Sequence, residues 1–270
     1  MKRFRTTELS DPRFESHGLR FITVKTNNLR GRGDVCVFVP PGHKRDDLPI
    51  ITLLHGVYGS CWCWALKGGA HRTAAHMMAS GEIPPAILAM PSDGLWGDGS
   101  GYLPHHGRDF GRWISEDVID AVRLLIPEAK NSRENYLGGL SMGGYGTLRL
   151  AAEYPEVYRA VSAHSSITRL EEMALFVEEP VSDYREAGTI GDIIDLFRGT
   201  PNLPRLRFDC GSEDELISGN RLLHQQLTEA RIDHIYEEFS GGHEWPYWER
   251  HLADGLRFFF EDSTNSHTRN

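Results

Sequence analysis

The chain has 270 residues, of which 40% are hydrophobic and 25% charged, with a formal net charge of −9. That length fits one large α/β domain able to bury a full core without disulfides or metal. The acidic balance excludes nucleic acid as the main partner, because phosphate binding wants a concentrated basic face, and no run approaches the roughly eighteen apolar residues of a membrane helix.

The opening segment, MKRFRTTELSDPRF, carries basic residues with no apolar run behind them, so no Sec-type leader is read there and a cytoplasmic location is expected. Gly18–Thr26 and Gly33–Val39 alternate as two strands of an antiparallel ribbon, joined by the polar turn Asn27–Arg32, and Pro40, Pro41 and Gly42 stop the second strand. Ile50–Leu54, Ala86–Met90, Asn135–Leu140 and Arg159–Ala163 are short apolar runs followed at once by turn or helix signals, as buried parallel strands are. Leu206–Cys210 and Ile235–Phe239 continue the series. Between them, Ser115 is placed to cap a helix with Val118, Ile119, Val122, Leu125 and Ile126 on one face, ended by Pro127. Ser218 is placed to cap another, and a last helix runs near Trp248–Phe260. Strands alternating with helices predict a single α/β domain over 1–270, a mostly parallel sheet covered on both faces with the ribbon at its start.

Two stretches break the alternation. Pro91–Gly111 is Gly-rich with Trp96, Tyr102, His105 and His106, and reads as a long ordered loop. Ile167–Pro204 holds helical patterns (Leu170, Met173, Phe176, Val177, then Ile190, Ile193, Phe197) between two strands, which suits a cap-like insertion. The four cysteines, Cys36, Cys61, Cys63 and Cys210, read as free thiols. Cys61 and Cys63 form a C-x-C pair, but no second Cys or His pair stands at a finger spacing, so no metal is expected there.

The strongest chemical signal is Gly139-Leu140-Ser141-Met142-Gly143, directly after one strand pattern and directly before a helical one. A serine hydroxyl becomes a nucleophile only when exposed to a base, and a sharp strand-to-helix turn does this by straining its backbone, with small residues two before and two after. Such a serine needs an acid and then a histidine downstream. His243 follows Ile235–Phe239 in Ser240-Gly241-Gly242-His243, while His224, His234 and His251 sit on or beside helices and His105 and His106 precede the serine. Asp214 lies three residues past Gly211, after Leu206–Cys210; Glu213 and Glu215 flank it as alternatives, and Asp209 falls inside the strand as a structural residue. For the oxyanion, the amide of Met142 and that of Val57, in Leu54-His55-Gly56-Val57, are the expected donors, with His55 a structural hydrogen-bonding residue.

Together these residues resemble the α/β-hydrolase fold, and more narrowly the esterase D or "putative esterase" family, which includes S-formylglutathione hydrolases, tributyrin-type and feruloyl esterases and antigen 85-type mycolyltransferases. The resemblance rests on Leu53-Leu54-His55-Gly56, Gly139-Leu140-Ser141-Met142-Gly143-Gly144, Cys210-Gly211-Ser212-Glu213-Asp214 and Gly242-His243. It implies a nucleophile at Ser141, an acid at Asp214, a base at His243, oxyanion donors at Val57 and Met142, and no cofactor. After Gly56 the chain reads Val-Tyr-Gly-Ser-Cys-Trp-Cys-Trp where S-formylglutathione hydrolases have Leu-Thr-Cys-Thr, so it looks closer to the small tributyrin-type esterases. The expected activity is hydrolysis of short-chain or aromatic acyl esters, with a small-molecule ester as partner. Thioester hydrolysis or acyl transfer is the alternative, and a non-catalytic binding member of the fold stands behind both. Trp62, Trp64, Trp96 and Tyr102 are candidates to line the substrate pocket. A homo-oligomer is compatible with the sequence, which fixes no oligomeric state.

Overall fold

A computed structural model describes residues 3–185 and 192–261. The amino-terminal strands are β1 (Thr6–Leu9), β2 (Leu19–Thr26) and β3 (Gly31–Phe38), followed by β4 (Ile50–Leu54), the short helix α1 (Cys63–Leu66), α2 (Ala70–Ser80) and β5 (Ile87–Pro91). A small ribbon, β6 (Pro104–His105) with β7 (Arg108–Asp109), leads into α3 (Phe110–Arg112) and α4 (Ile119–Leu125), between which Trp113–Val118 forms a π-helical turn. Then come β8 (Asn135–Leu140), α5 (Met142–Glu153), β9 (Ala160–His164), α6 (Ile193–Gly199), β10 (Arg205–Gly211), α7 (Ile217–Glu229), β11 (Ile235–Phe239) and α8 (Trp245–Phe260).

Nine strands form one sheet in the order β1-β2-β3-β5-β4-β8-β9-β10-β11. The pairs from β1 through β3 to β5 are antiparallel, and those from β5 through β4 to β11 are parallel. Side chains alternate across the pleat, and the core divides accordingly. Val35, Val37, Ile50, Leu54, Ile87 and Ala89 join one buried cluster, while Cys36, Phe38, Ile51, Leu53, Leu88 and Met90 join the other. Chain order reverses beside β4, with β5 on one flank and β8 on the other; this is the kind of crevice where open parallel sheets bind ligands.

Several boundaries differ from the sequence reading. The helical run through α3 and α4 starts before Ser115: Asp109 caps it by accepting the Arg112 amide at 2.8 Å, and Ser115 is buried where its hydroxyl accepts from Tyr158 at 2.9 Å. α7 starts at Ile217 and leaves Ser218 inside its first turn, and α8 starts at Trp245, with Pro246 in a position that needs no amide donor. β1 was unforeseen because a four-residue edge strand with mostly exposed side chains carries no burial pattern. In the insertion, Leu170–Leu175 and Val181–Arg185 form 3-10 turns, and Leu170, Met173, Tyr184, Ile193 and Phe197 join the main core cluster. Ile190, counted in its helical pattern, lies outside the described residues.

Beneath the carboxyl edge runs a buried polar network. Asp209 on β10 faces His164 Nδ1 at 2.8 Å and Arg207 at 2.5 Å, and accepts the Tyr247 hydroxyl at 2.8 Å. Arg207 reaches onward to Glu237 at 2.8 Å and donates to Ser162 at 3.2 Å. Burial by itself would raise the Asp209 carboxyl, but His164, Arg207 and Tyr247 outweigh it and hold the group far below the usual range. A carboxyl so depressed stabilises the fold fully above its ordinary value of 3.8, and that contribution is lost as pH falls below it. Asp209→Ala strands Arg207 without its buried partner and should cost about 3–5 kcal/mol in urea denaturation. Asp209→Asn should make the acid-side loss of stability shallower than in the parent. A loss under about 1 kcal/mol for the alanine variant would mean the network contributes little.

Candidate active site

Ser141 stands between β8 and α5 at φ 55° and ψ −120°, a conformation that side chains other than glycine rarely take. The turn is held from outside: the Ser141 amide donates to His164 O at 3.0 Å, and Ser141 O accepts from Tyr145 at 3.1 Å and Ile167 at 3.3 Å. Its tightness explains two glycines. A Cβ on Gly139 would strike Gly143 O and the Thr147 hydroxyl, and one on Gly143 would strike the carbonyls of Leu54 and His55. The second contact matters most, because it presses the first turn of α5 against the end of β4.

That close approach sets Val57 and Met142 side by side with the serine. A Cβ on Gly56 would lie 3.2 Å from Ser141 Cβ and 3.6 Å from its Oγ, and Val57 and Met142 side chains both border Gly99. Among the described residues neither the Val57 nor the Met142 amide meets a backbone acceptor. The Met142 amide opens the first turn of α5, where the dipole is positive and suits a developing negative charge. His55 is locked instead: its Nδ1 donates to Gly56 O at 2.6 Å and its Nε2 accepts the Asp93 amide at 3.0 Å.

His243 lies in the loop after β11, and its Nε2 is 3.0 Å from Ser141 Oγ. Its Nδ1 lies 3.1 and 3.0 Å from the two oxygens of Asp214. With Nδ1–H donating to the carboxylate, the Nε2 lone pair faces the serine hydroxyl. The loops carrying Asp214 and His243 are joined main chain to main chain, through Ser212 N to Phe239 O at 2.8 Å and Glu213 N to Gly241 O at 3.0 Å. Asp214 is buried, so desolvation raises its carboxyl, but the hydrogen bond from His243 and the Leu216 amide, at 2.9 Å, bring it below the ordinary value. Glu213 and Glu215 are exposed; Glu213 accepts from Ser240 at 3.3 Å and does not reach the imidazole.

The four aromatic pocket candidates fare differently. Trp64 is 1% and Tyr102 0% exposed, so neither lines a pocket. Each has a polar atom that must find an acceptor when buried. Trp64 Nε1 donates to Leu54 O at 2.9 Å and the Tyr102 hydroxyl to His55 O at 3.0 Å, so both hold the turn that leads to Val57. Trp96 packs against His105, His106 and Tyr184 in an aromatic cluster. Trp62 stays 44% exposed on the surface near α1. Sequence reasoning missed Phe176, whose ring stacks on His243 with centroids 5.2 Å apart, and Trp248, which meets the imidazole edge-on at 5.0 Å. Phe176 was legible only as part of an apolar stripe, and Trp248 only as a helix residue, because which ring touches the imidazole depends on how the insertion folds back.

Residues 26–259 match the family model described as "Esterase: Putative esterase". An acetyl esterase from Caldicellulosiruptor saccharolyticus is 27% identical over 237 residues, covering 79% of this chain and 84% of that one. Among solved structures, a ferulic acid esterase superposes with a TM-score of 0.78 at 20% identity, covering 94% of this chain and 97% of its own. An S-formylglutathione hydrolase from Staphylococcus aureus superposes with a TM-score of 0.75 at 18% identity, covering 94% and 100%.

The strain at position 141 has a measurable signature. At such a φ glycine is relieved of a Cβ clash that alanine keeps, so Ser141→Gly should be about 1 kcal/mol more stable than Ser141→Ala. That reverses the usual order of the two residues, and equal denaturation midpoints would show that the turn is unstrained.

Proposed function

The chain belongs to the "Putative esterase" family and is an esterase, and on that premise we propose that it hydrolyses short-chain or aromatic acyl esters through an acyl-enzyme on Ser141. The observation that carries this reading is the bridging of Ser141 Oγ to Asp214 by one imidazole, at 3.0 Å on each side. Asp214 holds the imidazole as the Nδ1–H tautomer, so Nε2 takes the serine proton as Oγ bonds to the ester carbonyl carbon. The charge that develops on the carbonyl oxygen is met by the Val57 and Met142 amides, each such donor contributing about 3 kcal/mol to the transition state. Nε2 then returns the proton to the departing alcohol oxygen as the ester C–O bond breaks. Water next loses a proton to Nε2, bonds to the acyl carbon and releases the acid, and Ser141 recovers its proton.

A neutral ester is favoured over a glutathione thioester by the charges beside the oxyanion turn. Asp98, whose carbonyl accepts the amide of Tyr58, the residue next to Val57, is bonded in turn to the Glu178 amide and to the Glu179 carboxylate, so acidic side chains gather there. Glutathione carries carboxylates of its own, which that surrounding repels.

A fluorophosphonate probe should label the parent protein and fail to label Ser141→Ala. On p-nitrophenyl acetate, Asp214→Asn should lower kcat by about 10⁴-fold, since the imidazole then loses its orienting acceptor. Persistent hydrolysis by Ser141→Ala, or a folded parent that takes no label, would overturn the assignment. Acyl thioesters and sugar acceptors run in parallel test the thioesterase and acyltransferase alternatives.

A further inference from the structure

Tyr58 is an anomaly that the acyl-enzyme chemistry does not use. It is a bulky aromatic residue at φ 57°, yet it is 68% exposed, so little packing compensates for its backbone conformation. Its position is nonetheless fixed at both ends. The Tyr58 amide donates to Asp98 O at 2.7 Å, and its hydroxyl donates to the carbonyl of Phe176 in the insertion. The insertion is fastened to the same loop by Glu178 N to Asp98 Oδ2 at 2.8 Å, Asp98 N to Glu179 Oε1 at 3.1 Å and the Tyr184 hydroxyl to Gly99 O at 2.8 Å. Phe176 in turn lies flat on the His243 ring, with an interplanar angle of 24°. Tyr58 and Phe176 therefore bridge from the residue beyond the Val57 amide to the imidazole.

Position along the reaction gives this bridge a meaning. The departing alcohol must lie within hydrogen-bond reach of His243 Nε2, because that atom supplies its proton. Two rings border the imidazole, the buried Trp248 and the less buried Phe176, and it is Phe176 that Tyr58 holds in place. We propose that Tyr58 and Phe176 wall the alcohol side of the site and set the size of the alcohol that can leave, passing compact alcohols and rejecting extended ones. The inference rests on the serine esterase reading of Ser141 and His243. It assigns the insertion a selective role toward the leaving group, separate from selection of the acyl group.

Two ratios of kcat/KM test it: 4-phenylphenyl acetate over phenyl acetate, which lengthens only the alcohol, and phenyl butyrate over phenyl acetate, which lengthens only the acyl chain. Phe176→Ala should raise the first ratio by about tenfold or more and move the second by less than about twofold. Tyr58→Phe, which keeps the ring and removes the hydroxyl, should raise the first ratio by a smaller factor and serves should the alanine variant fold poorly. An unchanged first ratio in both variants, or an equal change in the second, overturns the proposal. So does a uniform fall for every ester accompanied by a displaced pH–rate profile, because Phe176 would then act only by holding the imidazole. Fluorophosphonate labelling separates the two levels: an unlabelled parent removes the serine esterase reading itself, whereas a labelled parent with unmoved ratios removes the bridge alone.

Discussion

The left-handed backbone of Ser141 is the constraint from which the rest of the site follows. A residue at φ 55° costs about 1–3 kcal/mol and persists only where its surroundings over-determine it. Here the surroundings are β8 on one side and α5 on the other, and α5 is buried from Met142 to Ala152. Each large apolar side chain it buries, Leu148 and Leu150 among them, returns about 1.5–3 kcal/mol, which offsets the strained turn. Bringing α5 in so closely requires Gly143 to sit against the carbonyls of Leu54 and His55. The same packing thus orients the serine and draws the Val57 turn alongside it.

Asp214 and His243 arrive by a different route. Ser141 is separated from His243 by 102 positions and His243 from Asp214 by 29. Parallel pairing in the order β8, β9, β10, β11 places the carboxyl ends of these strands on one edge of the sheet, at successive spacings of about 4.8 Å. Main-chain bonds between the two distal loops then remove much of their freedom, so the imidazole is held by backbone as well as by Asp214. Below them, the ion-paired Asp209 anchors Tyr247 on α8, four residues beyond His243, and a Cβ on Gly241 would meet that tyrosine ring at 2.8 Å. Buried charge and loop geometry are thereby linked.

Aromatic residues near the site divide by what their polar atoms do. Trp64 and Tyr102 donate to the carbonyls of Leu54 and His55 at the end of β4, beyond the point where its pairing with β5 has ended. They stiffen the turn that leads to Val57 from below. The Phe176 side chain has no polar atom to satisfy and lies on the imidazole, while the Tyr58 hydroxyl donates to the carbonyl of Phe176. Rings that the sequence presents as one class therefore have separate duties, fixed by burial and by which acceptor lies within reach.

The sequence by itself determined the alternation of strand and helix and the Gly139–Gly143 turn, and it singled out Ser141, Asp214 and His243 in that chain order. These are local patterns: a buried strand is an apolar run, and a strained turn needs small neighbours at fixed spacing. It also left Glu213, Asp214 and Glu215 in contention, put the helix start at Ser115 and offered Trp64 and Tyr102 as pocket walls. Only the tertiary structure brought Asp214 and not Glu213 to the imidazole, gave the cap to Asp109, buried the two aromatic rings, and laid Phe176 on His243. The physical reason is the same in each case: hydrogen bonds and ring contacts between distant segments depend on strand register and on the path of an insertion, and neither leaves a periodic trace in the residues themselves.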